Sequence, residues 1–161
     1  MILVTVLIVL PWGAALWLSA QKQSGQYFAM SIALVELLLA LIQRFAPGAS
    51  GTLGHALHIP YLGSLWTLHA GPLGSTLALL CALLIPVSLA FAWRLPEFRV
   101  LASAVLVMSG ALFGIFFAQN VLMFYIFYEI LALAGAFLIL RSGHKSRAAA
   151  LQFLLYTFVG S

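Results

Sequence analysis

The chain contains no aspartate and only three glutamates, Glu36, Glu97 and Glu129, against seven lysines and arginines in 161 residues. Charged residues make up 6% of it, where a water-soluble domain carries about a quarter. A soluble surface cannot be built from so few charges. The single cysteine, Cys81, lies inside an apolar segment, so a disulfide within the chain is excluded and a cysteine-based metal cluster is not expected. Walker loops, dinucleotide-binding glycine patterns and nucleophile elbows are missing. Neither a cofactor nor the chemistry of a soluble enzyme is therefore expected. No basic stretch precedes the first apolar run, so Met1-Ile-Leu-Val-Thr-Val-Leu reads as a retained first span rather than a cleaved signal.

What is present is apolar. Hydrophobic residues make up 65% and the mean hydropathy is +1.16, which marks an integral membrane protein with lipid as a partner. The net charge of +4 then concerns orientation and gives no ground for a nucleic-acid partner.

The pattern predicts an all-α membrane protein of five complete spans plus a shorter sixth, forming one transmembrane domain over residues 1–161. Span one is expected over Ile2–Ala20, with Pro11 inside it. A short polar turn leads to span two, Tyr27–Ile42, with Glu36 near its centre. A long Gly- and His-containing loop is expected from Gln43 to Pro72, and span three from Leu73 to Trp93. From Val100 to Leu140 the chain is apolar except for Gln119, Asn120 and Glu129. That run is too long for one crossing, so it is divided at Gln119-Asn120, read as turn residues, into spans four and five. A further apolar segment runs from Ala148 to the last residue, Ser161, and is too short to cross a bilayer unaided.

The turns after spans one, three and five hold Lys22, Arg94, Arg99, Arg141, Lys145 and Arg147, and the opposite set holds only Arg44. Positive residues collect on the cytoplasmic side, so the N-terminus is expected outside. Gly110 with Gly114, and Ala132 with Ala136, form small-xxx-small pairs suited to close helix packing.

Glu129 carries the chemistry. It stands in the apolar run from Val121 to Leu140, whose length as a helix, at about 1.5 Å per residue, matches a hydrocarbon core of about 30 Å. A central acid costs roughly 2.5–3.5 kcal/mol to insert, so it stays protonated, finds a cation or faces a water-filled path. Each outcome makes it a candidate proton-transfer group. Tyr125, one turn earlier on the same face, could hydrogen-bond it. Span five has no internal base, so any cationic partner must come from another helix. Glu36 is a second candidate, able to serve an outer half-channel or simply to pack. Arg44 lies two turns beyond it, about 12 Å away along the axis. His144 and Lys145 are either a basic anchor or a proton entry point. His55, His58 and His69 lie among Gly and Pro without Cys or acidic partners, and no metal site is expected there.

Three stretches carry a family likeness: Ala118-Gln-Asn-Val-Leu-Met-Phe-Tyr-Ile-Phe-Tyr-Glu129, Phe137-Leu-Ile-Leu-Arg-Ser-Gly-His-Lys145 and Gln152-Phe-Leu-Leu-Tyr-Thr-Phe-Val-Gly-Ser161. Together they resemble the antiporter-like membrane subunits of respiratory complex I, the subunit 4 (chain M) type above all. Relatives of that type occur in multisubunit Na⁺/H⁺ antiporters and membrane-bound hydrogenases. The resemblance implies a proton- or Na⁺-translocating, non-redox subunit of a bacterial inner-membrane complex, with other membrane subunits as partners. It also implies that Glu129 is the relay acid, paired with a lysine on a later helix. The family's acidic stretch before span three reads Gly71-Pro-Leu-Gly74 here. Its acidic position before span five is Asn120, its proline in that span is Ala134, and a lysine opening span six is Gln152. These departures suggest a diverged paralogue or a hydrogenase-type relative. Family members carry further spans with inverted repeats, so the chain is expected to be a fragment, one part of a split subunit, or a truncated product. The other readings are an assembly protein whose acids only join helices, and a stand-alone small transporter.

Overall fold

The structure is a computed structural model, and it describes residues 2–21, 25–45, 52–54, 58–59, 63–64, 67–141 and 146–160. Among the described residues there are six helices: α1 (Ile2–Ala20), α2 (Gln26–Phe45), α3 (Pro72–Ala92), α4 (Phe98–Phe117), α5 (Val121–Arg141) and α6 (Ser146–Gly160). The first five are long and apolar enough to cross a membrane. α6, with 15 residues, is shorter than a crossing requires. In hydrocarbon every backbone group must be satisfied within its own segment, which the helix achieves and irregular chain does not. Pro11 and Pro86 lie inside α1 and α3.

Several boundaries differ from the sequence reading by a few residues, most of all at the end of α2 and in the segment after it. α2 continues past Ile42 to Phe45, because Gln43 turns into the bundle and is buried. The segment between α2 and α3 is not all loop. It holds β1 (Thr52–Gly54), β2 (His58–Ile59), β3 (Gly63–Ser64) and β4 (Thr67–His69). β1 pairs antiparallel with β4, Thr52 opposite His69, and β2 pairs with β3, His58 opposite Ser64. Leu68 also bridges to Ala118 in the turn between α4 and α5, so this small ladder is fastened to the bundle.

α4 is the hub, packing against α1, α3 and α5. Of its apolar window 50% is buried inside the bundle, against 22% for α5, so most of α5 faces outward. Gly110 and Gly114 explain the close approach to α4 from two sides. Trp12 of α1 lies over Gly110 and donates from Nε1 to the Val107 carbonyl oxygen at 3.1 Å. Phe127 of α5 lies over Gly114, and the Trp12 and Phe127 rings stand 5.9 Å apart. The small pair thus admits two aromatics from neighbouring helices of the same bundle. Ala132 and Ala136 of α5 are buried as well.

At the end of the bundle that carries most of the basic residues, Gly25 takes a positive φ of 57° in the turn before α2, a conformation that favours glycine. Gln26 Nε2 donates to the Trp93 carbonyl oxygen at 2.8 Å, and Arg99 donates to the Gln21 carbonyl oxygen. Arg141 lies 3.7 Å from Glu97, both exposed.

Candidate functional site

α5 begins with a cap that the sequence left as a plain turn. Asn120 Oδ1 accepts a hydrogen bond from the Met123 N–H at 2.7 Å. This is the usual way an asparagine before a helix satisfies one of its unpaired donors. From there Met123 and Phe127, one turn apart, are buried, and Phe127 meets α4 at Gly114. Glu129 follows Phe127 by two residues. At about 100° per residue it points away from the side packed on α4.

Glu129 is half-buried, and its Oε1 is enclosed with no hydrogen-bond partner. Among the described residues no ion pair involves it, whereas Glu97 has Arg141. Tyr125 shares its face, but the residue is 39% exposed and no hydrogen bond joins the two. Burying a carboxyl oxygen without a bond is costly, so the arrangement suits a group that exchanges partners. Around it α5 exposes Leu122, Tyr125, Ile126 and Leu133. A further helix could pack on that apolar surface and bring a cation to the acid.

Glu36 is the more deeply placed acid, which its position in the sequence did not reveal. It is wholly buried, and both carboxyl oxygens are enclosed without a hydrogen-bond partner. It sits on the α2 stripe Ala29, Ala33, Glu36, Ala40 and Gln43. Cys81 of α3 and Ser109 of α4 are its polar neighbours. The Ser109 hydroxyl donates to the Leu106 carbonyl oxygen at 2.8 Å, so its proton is committed elsewhere. Arg44 does not reach back to the acid: its Nε donates to Thr76 Oγ1 at 3.2 Å. Cys81 and Ser109 were missed as site residues. An isolated Cys or Ser in an apolar helix gives no sign of what it faces.

Of the remaining candidates, His144, Lys145 and His55 lie outside the described residues. His58 is described only as part of β2, and His69 is exposed beside Gly71. Among the described residues no group of three or more His, Cys, Asp or Glu side chains could hold a metal ion.

No protein-family model matches the chain. NAD(P)H-quinone oxidoreductase chain 4 1 of Synechococcus sp. (strain JA-2-3B'a(2-13)) is 32% identical over 137 residues, covering 83% of this chain and 24% of the relative. NAD(P)H-quinone oxidoreductase chain 4-2 of Synechocystis sp. (strain ATCC 27184 / PCC 6803 / Kazusa) is 30% identical over an alignment of 169 positions. That alignment covers 98% of this chain and 30% of the relative. The fold is found again in the membrane-bound sulfane sulfur reductase (MBS), an archaeal respiratory membrane complex. The TM-score is 0.79 at 18% identity, over 98% of this chain and 34% of that one. The chain is thus an integral membrane protein and, along most of its length, a homologue of the subunits called NAD(P)H-quinone oxidoreductase chain 4, of whose length it spans about a quarter to a third.

Proposed function

We propose that this chain is a proton-translocating membrane subunit of a quinone oxidoreductase-like respiratory complex in a bacterial inner membrane, with Glu129 as its relay acid. The observation that carries the reading is the enclosed, unbonded Oε1 of Glu129 near the middle of an apolar 21-residue span. The acid faces the side of α5 turned away from α4. A relay acid needs a neighbour that can come and go, and the outward side of α5 is where another helix of the complex would supply it. Electron transfer belongs to other subunits, and H⁺ rather than Na⁺ is the ion that a lone carboxyl handles most simply. Likeness to chain 4 of the NAD(P)H-quinone oxidoreductases supports the complex; the role of the acid rests on its surroundings.

The test is Glu129→Gln in the whole complex, with quinone-linked H⁺ uptake measured in inverted membrane vesicles. Pumping should be lost while the complex assembles in normal amount. Unchanged pumping refutes the relay. Loss of complex with normal turnover in what remains favours the assembly role instead.

A further inference from the structure

A second acid is enclosed on the other side of the bundle, at the interface of α2, α3 and α4, and it is independent of Glu129. Glu36 has no exposed surface and no hydrogen bond to either oxygen. α1 and α3 contain no charged residue, α4 contains only Arg99 in its first turn, and Arg44 of α2 is engaged with Thr76. Cys81 is the one titratable side chain facing it from α3, and Ser109 is the polar one from α4. An ionised Glu36 would therefore stand without a counter-charge, and a proton is the cation that fits the space.

The polar groups near Glu36 are distributed asymmetrically. Along the buried stripe of α2, the direction toward Gln26 continues as Ala33 and Ala29, with no polar atom beyond the backbone. The direction toward Phe45 passes Ala40 and reaches buried Gln43, seven residues or about 10 Å along the axis. The Arg44–Thr76 bond brings this end of α2 level with the start of α3, where Ser75 is also buried. Ala40, buried between the acid and Gln43, adds only a methyl group. We propose that Glu36 is a proton-binding site that exchanges with the outer surface, the side of the strands β1–β4, along the lane marked by Gln43 and Ser75.

Infrared difference spectroscopy on the intact complex, in membranes stepped in pH, tests this. Spectra should contain a protonated-carboxyl band that titrates with pH. Glu36→Gln should remove it, Glu36→Asp should shift it, and Glu129→Gln should leave it in place, so the result is read separately from the relay role of Glu129. Gln43→Leu, and more mildly Ser75→Ala, should slow its shift on transfer to heavy water several-fold. If Glu36→Gln does not assemble, the shift in Glu36→Asp carries the assignment. The proposal is overturned if no carboxyl band depends on Glu36. It is equally overturned if the band ignores pH, or follows Na⁺ at constant pH.

Discussion

The Phe127 ring of α5 lies directly over Gly114 of α4, so close that any side chain at position 114 would occupy the space of the ring. This contact sets how near the acid-bearing helix comes to the hub of the bundle. Overpacking a tight contact costs about 1–3 kcal/mol. Gly114→Val should therefore lower the thermal unfolding midpoint of the detergent-solubilised protein. Trimming the ring with Phe127→Ala in the same chain should recover part of the loss. A Gly114→Val protein as stable as the parent would show that the two helices are not held at this separation.

Asn120 caps the same helix through its side-chain oxygen and the Met123 N–H. Replacing an N-cap by alanine typically costs about 1 kcal/mol. Asn120→Ala should show that loss in unfolding measurements, whereas Asn120→Asp, which keeps the accepting oxygen, should restore most of it. Equal stability of the two variants would remove the cap from the account.

The orientation drawn from the basic turns can be read with thiol chemistry, because the chain has one cysteine and Cys81 is buried. In a Cys81→Ala background, His69→Cys should react with a membrane-impermeant maleimide added to the outside of cells. Glu97→Cys should react only after the inner face is opened. Both positions are exposed, so the reverse labelling pattern would invert the topology.

Glu97 and Arg141 illustrate how much the sequence told. Glu97 lies in the turn between α3 and α4 and Arg141 ends α5, both at span ends that charge and apolar run length marked, and the spans between such ends emerge almost where the hydropathy set them. α1 covers Ile2–Ala20 as expected, and the division at Gln119-Asn120 falls between the end of α4 at Phe117 and the start of α5 at Val121. Gln43 shows where this fails. A polar residue beside Arg44 reads as loop, yet it is helical and buried, because polar side chains inside a bundle answer to neighbours that the sequence does not name. The two acids fail for a related reason. α5 is apolar all round, and such a helix has no polar face to declare which side is packed. Glu129 was legible as a candidate because it interrupts an apolar run. That Glu36 is the more enclosed of the pair depends on α3 and α4 closing over it, a tertiary fact. The strands between α2 and α3 were hidden because segments of two or three residues leave no periodicity to detect.

The Leu68–Ala118 bridge has a mechanical meaning. It pins the stranded segment to the corner from which both the hub helix and the acid-bearing helix depart. That corner is tied to the strands by backbone pairing, whereas the far ends of α4 and α5, near Arg99 and Arg141, carry no such tie to β1–β4 among the described residues.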